Sequence, residues 1–307
     1  NNFKITSLNM LVGKVEHLKA NIFKDFFEIT KTRLSISVVF SSITGYLLAA
    51  ETIDTLHILY LFLGGFCMVG ASNTLNQVIE RDYDAVMKRT QNRPIPKGRI
   101  SISSALILSI LMIIIGFFLL NKLNFKTAFF SFFSILIYVS IYTPLKTITP
   151  LSVFIGAFPG AIPFMLGWVS VTNKFGIEPG ILFMLQFFWQ FPHFWAISWV
   201  MHEDYQKAGF KMLPTGRKDR KTAFQITFYT LWMILISLIP YTHYSGSLSL
   251  TQNSALLILI LGIIMLYFSI DLMVKKSNKA ASKLIIVSIF YLSIVQLVFI
   301  FDKYFLA

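Results

Sequence analysis

NQVIERDYDAVMKRTQNRPIPKGR, residues 76–99, follows directly on a long apolar run and changes the character of the chain within a few positions. Three acids, Glu80, Asp82 and Asp84, are trailed by five cations, Lys88, Arg89, Arg93, Lys97 and Arg99. If the apolar run is a helix that continues into this stretch, Asn76, Glu80 and Asp84 stand four apart and share one face. Such a column of oxygen donors suits a hard divalent cation. Mg²⁺ is the natural choice, because it takes one or two carboxylates and completes its shell with phosphate oxygens. The arginines just beyond can fork onto the same phosphates. The stretch therefore reads as a Mg-diphosphate site at the mouth of a membrane bundle. Its alternative reading is a charged connecting loop and nothing more.

Outward from that stretch, the chain is apolar. Of 307 residues, 55% are hydrophobic and 16% aromatic but only 13% charged, too greasy for a soluble two-domain protein. Several runs reach the roughly 20 residues that a membrane-crossing helix requires. The net charge of +13 does not indicate nucleic acid, because the cations lie in short segments between apolar runs and not on one soluble face. The single cysteine, Cys67, sits within an apolar run and excludes a disulfide framework. The first apolar run long enough to cross a bilayer begins near Leu34, so no cleavable signal peptide is expected.

Residues 1–33 are expected to form an N-terminal interfacial segment, and residues 34–307 a membrane domain. Within the first segment, Val15, Leu18, Ile22, Phe26 and Ile29 recur at helical spacing against Lys14, Lys19, Lys24 and Glu28, the pattern of a helix lying in the interface. Nine apolar segments follow, at about 34–50, 57–79, 102–120, 125–142, 150–171, 180–201, 222–241, 253–274 and 283–301. The expected fold is all-α, a polytopic membrane bundle of about nine transmembrane helices around a central cavity. Twenty-three of the 27 Lys and Arg residues fall in the N-terminal segment and the connections on its side. Lys122, Lys126, Lys174 and Lys303 are the four on the other. That asymmetry puts the N-terminus and the acid-bearing loops in the cytoplasm and the C-terminus outside. A short repeat accompanies it: Pro96-Lys97-Gly98-Arg99 returns as Pro214-Thr215-Gly216-Arg217, the second copy preceded by Glu203 and Asp204. Two such units on one side suggest half-sites facing each other.

Further polar groups interrupt the apolar segments, where ionisable side chains are by default functional candidates. The sixth contains Trp189-Gln190-Phe191-Pro192-His193-Phe194-Trp195, in which the proline frees a carbonyl and kinks the helix. His193 beside those rings is either a neutral histidine satisfied by a neighbour or a ligand or acid–base group toward a large flat substrate. Tyr142-Thr143-Pro144-Leu145-Lys146 closes the fourth segment, and its Tyr and Lys can aim a hydroxyl and an ammonium at one anion or serve as boundary anchors. Gly156, Gly160 and Ala161, with Pro159 and Pro163, read as close helix packing in the fifth.

Asn76-x-x-x-Glu80-x-x-x-Asp84 resembles the first aspartate-rich motif of the UbiA superfamily of intramembrane prenyltransferases, and Tyr142-x-x-x-Lys146 is similar to its Y-x-x-x-K pair. Residues 28–33 (EITKTR), Asn92-Arg93-Pro94, Tyr142–Lys146, Gly160–Pro163 with Gly167-Trp168, Trp189–Phe194 and Asp204-Tyr205 through Pro214 look like its heme-directed branch, in order along residues 28–214. The resemblance implies Mg-dependent transfer of a farnesyl group from farnesyl diphosphate to a vinyl group of heme B, forming heme O. It also implies roles. Asn76, Glu80 and Asp84, with Asp82 as a further candidate, would hold Mg²⁺ and diphosphate. Arg89, Arg93, Lys146 and Tyr142 would meet diphosphate oxygens, and His193 would face the heme. Lys31 or Arg33 would meet diphosphate or a heme propionate, and Asp204 would belong to the second half-site. The implied setting is a bacterial plasma membrane with the active-site loops on its cytoplasmic side. Heme A synthase or cytochrome oxidase assembly factors are the candidate protein partners, and nucleic acid is not one.

The chain departs from the superfamily pattern at Gln77 and Glu80, where aspartates are common, at Thr32 and Phe164, where prolines are, and in offering only Glu203 and Asp204 for a second acidic motif. A quinone-precursor prenyltransferase would share the first motif but carry a fuller second one. A transporter would not need the acid column with clustered arginines.

Overall fold

The computed structural model describes residues 22–306. Helix α1 covers 22–29, and the remainder of the expected interfacial helix, including Val15 and Leu18, lies outside the described residues. Nine long helical segments then run back and forth: α2 (Thr32–Ala49), α3 (Thr55–Ile79), α5 (Ile102–Asn121), α6 (Phe125–Leu136) continued by a π-turn segment and α7 (Thr143–Ile148), α8 (Ser152–Thr172), α9 (Ile177–Val200), α11 (Arg220–Ser237), α12 (Gln252–Lys275) and α13 (Asn278–Phe301). Two short helices, α4 (Arg81–Val86) and α10 (His202–Lys207), stand in the loops after α3 and α9. The nine expected segments are all present as helix.

Local chemistry sets many of the starts. Asp54, Ser101, Asn124, Asp219 and Ser277 each accept a backbone N–H of the first turn, at 2.8–3.2 Å, and so cap α3, α5, α6, α11 and α13. Eight helical stretches among the described residues are long and apolar enough to cross a membrane. The remaining one, α9, is 24 residues long but carries Gln186, Gln190, Pro192 and His193. On α5, Ile107, Ile110, Ile114 and Phe118 are exposed in a stripe, which is favourable only against lipid.

Small residues bring the helices together. A Cβ on Gly167 of α8 would run into the Ser42 carbonyl oxygen of α2, and one on Gly45 into the Phe164 carbonyl, so the two backbones touch. Without a hydrophobic force between helices in lipid, such close approach is what holds them. Gly167→Val is expected to prevent α2–α8 packing and to leave no folded material on size-exclusion chromatography in detergent; a monodisperse variant with the parent's melting temperature would contradict the packing. As the sequence suggested, Gly156 and Gly160 serve packing: they make room for the Tyr142 ring and the Gln190 amide.

The two ends of the bundle differ. At one end, Lys303 after α13 donates to the carbonyls of Leu47, Leu48 and Ala50 at 3.0, 2.9 and 2.6 Å, fastening the last helix onto the C-terminal end of α2. Asp302 accepts from Thr251 beside it. At the other end lie the loops after α3, α7 and α9, and they touch one another. Between α6 and α7 the chain widens into a π-helical turn over Ile137–Tyr142, a local expansion often found at functional sites.

Candidate active site

The polar end of α3 is buried. Asn73, Thr74, Asn76 and Gln77 are all buried on it, followed by Glu80 and Asp84. At about 1.5 Å per residue a 25-residue helix is roughly 37 Å long, more than the apolar layer needs, so its last turn can carry polar groups at the layer's edge. The column is not one continuous helix, as the spacing suggested. Glu80 has φ −87° and ψ 6°, and there α3 gives way to α4. The hydrogen bonds still run four residues back, from Glu80 N to Asn76 O at 2.9 Å and from Asp84 N to Glu80 O at 2.7 Å, so the three side chains keep one face. Asp82 points away: it is exposed and stands 3.6 Å from Arg81.

Each group of the column meets a cation from a different element. Lys146 Nζ donates to Glu80 Oε1 at 2.6 Å, with both side chains under a tenth exposed. Arg93 Nη1 donates to Asp84 Oδ2 at 2.7 Å. Lys31 Nζ, just before α2, reaches Asn76 Oδ1 at 3.4 Å. Burial above all, with repulsion from Arg93, pushes the Lys31 ammonium down to about 7. Two carboxylates thus share the site with three basic side chains, a balance that favours an arriving anion. Asn76 Nδ2 in turn donates to the buried Thr143 hydroxyl at 3.0 Å, which orients the amide.

One oxygen is left over. Asp84 Oδ1 is buried with no hydrogen-bond partner among the described residues. Leaving a buried acceptor unpaired costs about 1–3 kcal/mol, and more when it is charged. An orphaned carboxylate oxygen on the same face as Glu80 and the Asn76 carbonyl oxygen is the donor set of a hard cation, which would draw its remaining ligands from a bound phosphate. Among the described residues no three His, Cys, Asp or Glu side chains converge, so a metal there would rest on this two-carboxylate column and the substrate's oxygens.

The arginine loop is held by its own bonds. Met87 and Ile95 plug it into the bundle, and the Thr90 hydroxyl donates to Asp84 O at 3.0 Å. Arg99 is a clamp: its guanidinium holds Asp25 at 2.8 Å and Glu28 at 2.6 Å on α1 and donates to Asn92 O. Arg33 and Arg89 are exposed, and Arg89 contributes its backbone N–H, which donates to Asp204 Oδ2 at 3.3 Å. Through that bond and the Tyr83–Phe210 ring contact at 5.3 Å the second loop lies against the first, and Lys211 N donates to Lys146 O of α7 at 2.6 Å. Gly98 and Gly216, equivalent positions of the short repeat, both take left-handed backbone, with φ of 68° and 71°. A cavity of about 240 Å³ opens in the second loop, lined by Ser198, His202, Tyr205, Phe210, Lys211 and Met212 among others. Tyr142 differs from expectation. Lys146 Nζ lies 4.4 Å above its ring centre, so its aromatic face and not its hydroxyl meets the ammonium.

On α9, a continuous helix through Pro192, the polar residues face neighbouring helices. Gln190 donates to Ala157 O of α8 at 2.9 Å, and Gln296 of α13 lies 3.5 Å from Gln186. His193 is buried, stacked on Trp189 with ring centres 4.6 Å apart, and its Nδ1 is 2.7 Å from Ser288 Oγ. The sequence reading missed Thr143 as a partner of Asn76, Ser288 as a partner of His193, and Gln77, whose amide donates to Ile29 O at 2.6 Å while its Oε1 has no partner among the described residues. None of these carries a spacing signal, because each pairing joins residues far apart in the chain.

The described residues thus form a bundle of nine long helical segments with a buried column of acids and basic side chains at one end. The model of the UbiA prenyltransferase family matches residues 38–295, and the chain belongs to that family. A protoheme IX farnesyltransferase of Christiangramia forsetii is 55% identical to it over 291 residues, covering 95% of this chain and 97% of the relative. The protoheme IX farnesyltransferase of Flavobacterium johnsoniae is likewise 55% identical, over 92% of this chain and 96% of its own. Among solved structures, one from work on digeranylgeranylglyceryl phosphate synthase superposes with a TM-score of 0.75 at 23% identity, over 91% of this chain and 98% of the other. A UbiA homolog from Archaeoglobus fulgidus bound to GPP and Mg²⁺ superposes with a TM-score of 0.67 at 14% identity, over 90% and 99%. Both structures share the fold.

Proposed function

We propose that this chain transfers the farnesyl group of farnesyl diphosphate to a vinyl group of heme B, giving heme O. The observation that carries the reading is the buried column at the end of α3, where Asn76 and two carboxylates, one of them with an orphaned oxygen, meet three basic side chains, in a chain 55% identical to protoheme IX farnesyltransferases along nearly its whole length.

Asn76, Glu80 and Asp84 would hold Mg²⁺, which when bound supplies Lewis-acid neutralisation of the departing diphosphate. Arg93, Lys146 and Lys31, now satisfied by the column, are the donors for the diphosphate oxygens, and they stabilise the negative charge that grows there as the allylic C–O bond breaks. The bond's electron pair leaves with the diphosphate. The terminal vinyl carbon captures the allylic cation, and water then adds to the carbon next to the porphyrin ring with loss of a proton. Burial of the column keeps water from quenching the cation first. Arg33 and Arg89 stand at the rim, Asp204 holds the second loop against the first, and Tyr142 supports the Lys146 ammonium. His193 faces the heme.

The test is a comparison of hemes extracted from membranes containing this chain, separated by mass, with and without added farnesyl diphosphate. A new species carrying the hydroxyethylfarnesyl group, dependent on the diphosphate, is expected. Unchanged heme alongside prenylation of an added aromatic acid would overturn the reading in favour of a quinone-precursor enzyme.

A bacterial plasma membrane is the location that the resemblance implies, and the cation asymmetry supports an orientation with the site on the cytoplasmic side, where heme A synthase or oxidase assembly factors would take the product onward. Reporter fusions after Ala50 and after Arg99 are expected on opposite sides of the membrane, the second one cytoplasmic. Both on one side would contradict the topology.

A further inference from the structure

The Ser288 hydroxyl of α13 lies 2.7 Å from His193 Nδ1 and 2.7 Å from Ile285 O in its own helix. A serine hydroxyl has one hydrogen to give. Both contacts can be hydrogen bonds in only one arrangement: the hydroxyl donates to the Ile285 carbonyl and accepts from Nδ1–H. The imidazole then carries its proton on Nδ1 and a lone pair on Nε2. Trp189 braces the same pair, because its indole N–H donates to Ser288 O at 2.7 Å while its ring stacks on the imidazole with 17° between planes. Nε2 makes no hydrogen bond to the described residues. His57, at the opposite end of the bundle, is held the other way round. There Nε2 is 2.9 Å from Ser170 Oγ, whose own hydrogen goes to Gly167 O at 2.7 Å, so the proton sits on Nε2.

We infer that Ser288 is a positioning residue that holds His193 as the Nδ1–H tautomer and thereby presents the Nε2 lone pair to the iron of the acceptor porphyrin. This rests on the reading that His193 faces the heme. A histidine that ligates a metal through one ring nitrogen commonly donates the other N–H to an oxygen, and loss of that partner costs about 10–100-fold in metal affinity. Ser288 is fully buried, so water cannot take over its role.

The experiment has two arms. In histidine-¹⁵N-labelled protein in bilayers, the ring signals that disappear in His193→Gln are expected to report protonation at Nδ1, with His57 as the internal reference of opposite tautomer. Ser288→Ala should move those signals toward Nε2–H, and Ser288→Thr should keep them. In the second arm, Ser288→Ala should weaken heme B binding about 10–100-fold and alter the bound heme's Soret band, leave farnesyl diphosphate affinity unchanged, and be rescued by Ser288→Thr. An Nε2–H signal for His193 in the parent protein, which needs no variant to fold, overturns the inference. So does full heme affinity in Ser288→Ala when His193→Gln has lost it. Unchanged heme affinity in both variants overturns the heme-facing reading of His193, and the inference with it.

Discussion

Asp84→Asn is expected to lower farnesyl transfer by about 10²–10³-fold, the range found when one electrostatic stabiliser of a transition state is removed. The change keeps the shape of a side chain that is fully buried and has one oxygen on Arg93 and the other without a partner among the described residues. The amide cannot be an anion, and one of its two ends must present N–H groups either to the arginine or to the place where the orphaned oxygen now points. The fold is expected to survive, because the Arg93 side chain is 18% exposed and can turn to water when its partner weakens. Transfer assayed in bilayers together with a melting curve separates the two effects, and chelation of Mg²⁺ should reproduce the loss in the parent protein. Near-normal turnover in Asp84→Asn would remove Asp84 from the metal column.

Glu80 and Lys146 call for a different test, because there charge and stability are tied together. Their side chains are 6% and 9% exposed and 2.6 Å apart. Removing one partner of a buried pair leaves the other charge uncompensated, at a cost of about 3–5 kcal/mol, whereas replacing both with groups of similar volume is often neutral. Lys146→Met alone is therefore expected to destabilise the bundle by about that amount. The double variant Glu80→Gln, Lys146→Met should recover most of the loss and still be inactive, since the column has lost a carboxylate and the diphosphate a cation. Denaturant or thermal unfolding of the two singles and the double measures the coupling, and the transfer assay shows whether activity returns with stability. A single Lys146→Met variant as stable as the parent would show that the pair does not bury its charge. A double variant that regained transfer would exclude both residues from the chemistry.

These two tests turn on facts of different origin. The spacing of Asn76, Glu80 and Asp84 is local, and four-residue steps put them on one face even though the helix changes at Glu80. That Asp82 turns outward follows from the same geometry, since two residues from either neighbour it faces elsewhere. The nine helical segments were equally legible, because each is a run of apolar side chains long enough to cross the layer and separated from the next by a polar connection.

What the sequence determined by itself about this protein was the nine long helical segments and the common face of Asn76, Glu80 and Asp84, all properties of a few consecutive residues. Only the tertiary structure decided who meets whom. The Lys146 ammonium and the Tyr142 hydroxyl could have pointed the same way, but after the π-turn the ammonium lies over the ring and against Glu80. Arg89 and Arg99 carry the same charge in the same loop as Arg93, yet Arg93 reaches Asp84 while Arg99 clamps α1 and Arg89 offers its backbone. His193 acquired its tautomer from a serine 95 positions away. Periodicity records which side of a helix is polar, but the rotation and depth at which two helices pack are set by the sum of small contacts along both, such as Gly45 against Gly167, and no single stretch of sequence contains that sum.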